Sequence, residues 1–386
     1  MNMKAFFLMC FLAFNYIQSQ EMPTIKQISS DSKQLNQQRH ILIYTPNYYE
    51  ESSLTHYEVI YVFDAQSREF FDLVHSLLSF MAPSKQYIVV GIMSTYIESL
   101  DYSRNNDMLP SPLNEDPKTF YNGYSGNADN FLGYIQKEVI PYMESNYRTK
   151  QGRIAVGHSL SASFILYSMF KSPNLFNVYF AISPNFAFDK ERMVNEFKQF
   201  DYQNLVNKNF LFLSNADEGI NYWKEWLPAR NKVYEFLKNS VPPEKLTTII
   251  KEFPEESHWP TFAPSLMYGM KVYFNMSDEF LPNPSKETFE VTINLTVPDK
   301  DDNVYITGNQ DVLGNWNPQA VKMERKSDFI RELTIKIHAP AEIKFTRGSW
   351  DTEGEVKLNG GLGNIYINPE KTTSFNFEIL GWADKM

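Results

Sequence analysis

Ser159 lies in the run Arg153-Ile-Ala-Val-Gly157-His158-Ser159-Leu160-Ser161, at the end of a short apolar stretch and before a helical pattern. A strand that bends sharply into a helix is the setting of a nucleophile elbow, where small flanking residues let the backbone turn and lift the serine oxygen outward. A serine alone is a poor nucleophile, so acyl transfer at this position needs an imidazole base that a carboxylate holds in place. Chains with such an elbow carry serine, acid and histidine in that order. Of six histidines only His258 and His338 follow Ser159. His338 closes the strand-like Thr334-Ile-Lys-Ile337, which leaves His258, in Phe253-Pro-Glu-Glu-Ser-His258-Trp-Pro, as the base. His158 adjoins the nucleophile, and its ring is expected on the far side of the turn. The acid is expected just after the apolar run beginning at Asn209. Asp217 is the first choice there, its neighbour Glu218 the second and Glu256 the third, because spacing does not separate adjacent loop residues. The oxyanion donors are expected to be the N–H of Leu160 and one from the loop after Tyr87 to Gly91, at Ile92 or Met93.

Positioning such a set requires a rigid frame, and the pattern from Arg39 onward supplies one. Strand-like runs at 39–44, 57–63, 87–92, 153–156, 178–182, 209–213 and 247–253 alternate with helical patterns at 70–80, 130–147, 162–170, 223–237 and 265–274. This is a chain of βαβ units and predicts a mostly parallel sheet covered on both faces. The polar stretch Ser94 to Ser125, with Pro110, Pro112, Pro117 and Gly123, is expected to be a long functional or mobile loop. Composition changes at Leu281-Pro-Asn-Pro-Ser-Lys286, and from 287 to 386 short alternating runs replace helices, as in a small β-sandwich.

At 386 residues, and about 150 per domain, the chain holds two domains. Acidic residues number 46 against 36 Lys plus Arg, and no basic run occurs, which argues against nucleic acid or an anionic membrane as partner. Lys4, the apolar run Ala5 to Phe14 and the polar Asn15 to Gln20 read as a leader, 1–19, cleaved after Ser19 or Gln20 and too short for a stable membrane span. The expected location is therefore secreted or periplasmic. The single cysteine, Cys10, lies within that leader, so the mature chain has no disulfide, thiol nucleophile or thiolate site. No closely spaced His and carboxylate ligands occur, and neither a metal nor a cofactor is expected.

Taken together, Val-Ile-Tyr-Val-Phe-Asp64-Ala65, Ile-Val-Val-Gly91-Ile, Arg104-Asn-Asn-Asp107-Met-Leu-Pro110, Glu138-Val-Ile-Pro141-Tyr, Gly157-His-Ser159-Leu and Leu175-Phe-Asn-Val-Tyr-Phe-Ala-Ile-Ser183-Pro184 resemble the esterases of the α/β-hydrolase fold. That family includes ferric enterobactin esterases, esterase D and feruloyl esterases. The resemblance implies an α/β-hydrolase three-layer sandwich over 20–280, with Ser159 as nucleophile and His258 as base. It departs from the family at Ala65 and Ser161, where glycine is common. Arg104 and Asp107 match a motif near the active-site mouth, either as substrate contact or as an ion pair pinning the loop. Trp223 and Trp259, with Trp226, lie close to the acid and base in sequence and either line an aromatic substrate pocket or pack in the core. Residues 289–382 are similar to starch-binding carbohydrate modules, an immunoglobulin-like all-β sandwich, through Val304-Tyr-Ile-Thr-Gly308, Leu313-Gly-Asn-Trp316-Asn-Pro and Glu342-Ile-Lys344-Phe345. On that resemblance Trp316 and Lys344 fall on sugar-contacting positions, whereas Trp350 lies earlier than the family's second site tryptophan.

The function expected first is a secreted serine esterase that frees small acyl groups or aromatic acids from a carbohydrate or related ester through an acyl-enzyme. Its substrate would be a small ester or an acylated glycan, with a polysaccharide as possible partner of the second domain. Hydrolysis of a siderophore's ester linkages comes second, since no basic cluster for an anionic ligand is evident in the sequence. A non-catalytic glycan- or partner-binding protein on a hydrolase scaffold comes third, and the presence of both Ser159 and His258 argues against it.

Overall fold

The computed structural model describes residues 23–82, 85–114, 126–360 and 363–385. The expected leader, Cys10 and part of the long polar loop lie outside the described residues. Val59, Tyr61 and Phe63 face one apolar cluster while Ile60 and Val62 face another, so this strand is buried on both sides. Such a strand belongs at the centre of a parallel sheet. Eight strands form that sheet: β1 Thr24–Ser32, β2 Gln37–Thr45, β3 Tyr57–Phe63, β4 Tyr87–Ile92, β5 Thr149–His158, β6 Val178–Ile182, β7 Asn209–Asn215 and β8 Leu246–Glu252. Their spatial order is β1-β2-β4-β3-β5-β6-β7-β8. The two strands at one edge pair antiparallel, and β4 through β8 run parallel. Helices cover both faces, which gives the three-layer α/β sandwich.

Among the elements absent from the sequence reading, two bear on the frame of the hydrolase sheet. The edge strand β1 is almost wholly exposed, and its polar Thr-Ile-Lys-Gln-Ile-Ser-Ser-Asp-Ser lacks the apolar alternation that marks a strand. The helix Phe188–Gln199 opens with Asp189, Lys190 and Glu191 in left-handed backbone conformation. The buried Asp189 carboxylate accepts the N–H groups of Leu113 and Asn114 at 2.8 and 2.7 Å, which ties the polar loop to this helix. The helical pattern over 130–147 is interrupted by a π-helical turn, Ile135–Val139, between Ala128–Tyr134 and Ile140–Asn146. Pro141 has no N–H to return to the preceding turn, which accounts for the irregular register there.

The second domain packs a four-stranded sheet against a five-stranded one. Val291, Ile293 and Leu295 alternate inward on one sheet, Ile343 and Phe345 on the other, and the buried Trp382 donates its Nε1–H to Asp302 at 2.9 Å. The domains are joined by more than a linker. Tyr366 N–H donates to the Leu54 carbonyl, the His56 ring stacks on Tyr366 at 4.0 Å, and Lys150 pairs with Glu342.

Candidate active site

Strand β5 runs to His158, and Ser159 follows at φ 59° and ψ −116°, the strained conformation that an elbow demands. Gly157 is the residue that permits this bend, because a Cβ there would sit 2.6 Å from the backbone of Ser161. Ser161, in the family's second glycine position, is accommodated by use of its hydroxyl. Its Oγ accepts the His158 N–H and donates to the His158 carbonyl, each at 2.9 Å. Leu160 begins the helix Leu160–Lys171, so its N–H is one of the unpaired donors of a helix N-terminus.

His258 reaches this turn from the loop after β8. Its carbonyl accepts a hydrogen bond from His158 Nε2 at 2.8 Å, and the two imidazoles lie 4.8 Å apart. The expectation that His158 faces away from the site is thus corrected: the ring is a wedge between the elbow and the His258 loop, packed against Phe70, Trp259 and Phe262. Burial lowers its pKa to about 4, so His158 is neutral near pH 7 and serves as a fixed donor. The Ser159 hydroxyl makes no cap hydrogen bond in the helix it begins. Serine–histidine contacts in unliganded sites are often long and tighten around substrate.

The carboxylate at His258 belongs to Glu218. His258 Nδ1 lies 2.5 Å from Glu218 Oε1, and the Glu218 side chain is fully buried. Its other oxygen accepts the Ala216 N–H at 2.8 Å, while Arg230 donates to its carbonyl. Burial works against the charge, but the hydrogen bond from His258 and its charge outweigh it and hold the carboxyl below its ordinary range. Asp217, the first choice from sequence, points elsewhere: it accepts from Tyr222 Oη at 2.6 Å and Asn221 Nδ2 at 2.7 Å. Tyr222 in turn accepts the His258 N–H at 2.7 Å, so Asp217 supports the loop rather than the imidazole. Glu256 offers its carbonyl to the Asp217 N–H. The turn that separates these neighbours depends on Gly219, whose φ is 81° and whose absent side chain leaves room for Leu227.

The loop that lies beside the elbow also differs from the one expected to supply the second oxyanion donor. Ile92 ends β4 and Met93 follows it, and β3 separates that strand from the elbow strand. Ile92 gives its carbonyl to the Ala65 N–H, and that of Met93 accepts from Arg39. The loop beside the elbow is Asp64-Ala65-Gln66, after β3. Its next residue with a backbone N–H free of protein acceptors, among the described residues, is Gln66. The Gln66 side chain is held at both ends, donating to Asp64 at 2.8 Å and accepting the Ser94 N–H at 2.9 Å. Ala65 fits in place of glycine because Gly91 faces it; a Cβ on Gly91 would come within 2.8 Å of the Ala65 methyl. Strand order, which no local pattern reveals, is the signal that identifies this loop.

Arg104, one of the two readings of which was substrate contact, forms a two-pronged pair with Asp64, Nε to Oδ1 at 2.9 Å and Nη2 to Oδ2 at 2.6 Å. It pins the loop that carries Gln66. Asp107 is likewise structural, fully buried against Arg39 at 2.5 Å and receiving the Tyr102 hydroxyl. Trp223 and Trp259 are 44% and 56% exposed and stand edge-on around His258 and His158, while Trp226 is buried and stacks on Trp223 at 4.6 Å. The first two are therefore available to a ligand and not core residues. A narrow apolar crevice lies beside Leu160, lined by Met108, Leu109, Phe188 and Met193. In the second domain, Trp316 is half-buried and the Lys344 ammonium is paired with Glu353 at 2.5 Å.

A family model described as Putative esterase matches residues 32–231. The chain belongs to that esterase family. A second model, the starch binding domain, matches residues 288–378. Among curated relatives, a siderophore enterobactin esterase from Emericella nidulans is 36% identical over 78 residues, 19% of this chain and 26% of the relative. The ferri-bacillibactin esterase BesA of Bacillus subtilis is 28% identical over 163 residues, 40% of this chain and 55% of the relative. The chain thus spans about a quarter and about half of the curated relatives it matches. An IroE-like serine hydrolase from Shewanella oneidensis shares the fold at a TM-score of 0.55 and 24% identity, covering 65% of this chain and 80% of its own.

Proposed function

We propose that this member of the esterase family is a serine carboxylester hydrolase with Ser159 as nucleophile, His258 as general base and acid, and Glu218 as the orienting carboxylate. The observation that carries the reading is the buried Glu218 against His258 Nδ1, with His258 tied through its carbonyl to the residue preceding Ser159. With Nδ1–H held by Glu218, Nε2 carries the lone pair. It takes the Ser159 proton as Oγ attacks the ester carbonyl, and the resulting oxyanion meets the N–H groups of Leu160 and Gln66. Collapse breaks the carbon–oxygen bond to the alcohol, which leaves with the proton from His258. Water then attacks the acyl-enzyme, giving its proton to His258, and the carboxylic acid departs as Ser159 regains its hydrogen.

For the substrate, the siderophore reading draws support from both curated relatives, whose names give an ester-bonded iron chelator. Exposed Trp223 and Trp259 offer flat apolar faces beside the base, suited to an ester bearing aromatic groups. A second reading, an acyl group on a glycan, draws support from the starch-binding match and from Trp316 and Lys344 as sugar contacts. Both readings fit an exported protein, which the leader pattern of the first 19 residues supports.

The test is labelling of the purified chain with a fluorophosphonate, alongside Ser159→Ala and His258→Ala, followed by an ester panel. Labelling of wild type alone is expected, with a trilactone siderophore hydrolysed faster than acetylated or feruloylated oligosaccharide. A folded wild type that never labels overturns the hydrolase mechanism and leaves the binding-protein reading. Preference for acylated oligosaccharides overturns the siderophore substrate only.

A further inference from the structure

A cleft of about 580 Å³ lies between the two domains. From the hydrolase side Glu58, Lys85, Gln86 and Lys150 line it, and the opposite wall presents the Trp316 indole. We propose that this cleft is a composite site for a neutral oligosaccharide, in which the hydrolase domain supplies Lys85, Gln86 and Lys150 opposite Trp316. The inference rests on reading the second domain as sugar-binding and adds the half of the site that this domain lacks.

Charge selects the class of ligand. The lining ammoniums of Lys85, Lys150 and Lys344 are matched by the carboxylates of Glu58, Asp278 and Glu342. Each lysine already has an anionic neighbour: Lys85 lies 3.1 Å from Glu58, Lys150 pairs with Glu342, and Lys344 with Glu353 at 2.5 Å. No lining ammonium is left unpaired to hold an anionic ligand, whereas N–H donors and carbonyl or carboxylate acceptors stand side by side. The amides of Gln86, Asn309 and Asn364 add both kinds of group. A molecule with hydroxyls at its edges and a flat apolar face for the indole matches this lining, and a pyranose has that shape. Because protein walls the cleft on both sides, it suits a short chain or a chain end.

The site lies far from the ester chemistry. Lys150 stands near the start of β5 and Ser159 just past its end, nine residues and roughly 30 Å along the strand. Sugar bound there is a tether for the enzyme and not the bond it cuts.

Calorimetric titration of the full chain with maltoheptaose, cellohexaose and chitohexaose tests this, with Trp316→Ala, Gln86→Ala and Lys150→Gln as variants and a thermal melt of each as the check on folding. The expected result is saturable binding of at least one sugar, weakened tenfold or more by Trp316→Ala and about three- to tenfold by each hydrolase-side variant. The saturating sugar should leave wild-type turnover of p-nitrophenyl acetate unchanged. If Gln86→Ala and Lys150→Gln bind as wild type while Trp316→Ala does not, the composite site is overturned and the sugar-binding reading survives. Absence of binding by all three sugars overturns both. Tighter binding of an oligogalacturonate than of any neutral sugar overturns the charge argument.

Discussion

Replacing Glu218 by glutamine removes one charge at the site while keeping the side chain's length, and its effect can be set against Asp217→Asn one residue away. In the transition state His258 becomes an imidazolium whose Nδ1 lies 2.5 Å from Glu218 Oε1. Taking the charge centres as about 4 Å apart, with an effective dielectric constant near 20, the attraction is about 4 kcal/mol, or roughly 10³-fold in rate. Glutamine also presents an N–H₂ that disfavours the Nδ1–H tautomer, so the loss should reach about 10³ to 10⁴ in kcat. Asp217 touches His258 only through the Tyr222 hydroxyl, and Asp217→Asn keeps a hydrogen-bonding group there. Its loss should stay under about tenfold. Steady-state kinetics on p-nitrophenyl acetate, with circular dichroism to establish that each variant is folded, compares the two. A Glu218→Gln enzyme that keeps more activity than Asp217→Asn would refute the assignment of the acid.

Arg104→Gln should lower kcat about 10- to 100-fold with little change in KM, because the guanidinium positions Asp64 and the Gln66 loop; a raised KM at unchanged kcat would instead mean direct substrate binding. Gly157→Ala forces a methyl against the Ser161 backbone at 2.6 Å, and should cost about 1 to 3 kcal/mol of stability and abolish fluorophosphonate labelling. A variant that labels and melts as wild type would disprove that contact. Asp107→Asn strands the buried Arg39 charge and should cost about 3 to 5 kcal/mol in urea unfolding; a loss under 1 kcal/mol would mean that the charge is relieved in some other way. Burial drives His158 and His56 to about 4, so they stay neutral in the folded chain while the unfolded chain protonates them near 6.5. Their contribution is therefore complete above pH 6.5 and lost as pH falls toward 4, about 2 kcal/mol apiece between pH 7.5 and 5. Urea midpoints at the two pH values measure it, and equal midpoints would contradict the assignment.

Strands β3, β4 and β6 are legible to the residue, since a central strand buried on both faces is a nearly continuous apolar run. The elbow is legible for a related reason: Gly157 and Ser159 satisfy a local backbone requirement that few residues can meet. Strand β1 is not, because its residues face water and its hydrogen bonds to β2 leave no mark on its composition. Nor is the helix Phe188–Gln199, whose polar Asp189-Lys-Glu-Arg start is stabilised by backbone groups of Leu113 and Asn114, some 75 residues earlier.

The two positions whose placement departs from expectation share a cause. Asp217 and Glu218 are adjacent, carry the same charge and differ by a methylene, so only the direction of each Cβ distinguishes them. That direction is set by the turn at Gly219 and by the Ala216 N–H that receives the Glu218 carboxylate. Which loop lies beside the elbow depends in the same way on β3 lying between β4 and β5, an arrangement made by pairing strands far apart in the chain. Order along the chain therefore suffices to point to a serine and a histidine that the fold brings to one turn, each nearly unique in its segment. The acid and the oxyanion loop require the sheet to be assembled first. Arg104 illustrates the consequence, since its role changes from candidate ligand contact to brace once Asp64 is seen at the end of the neighbouring strand.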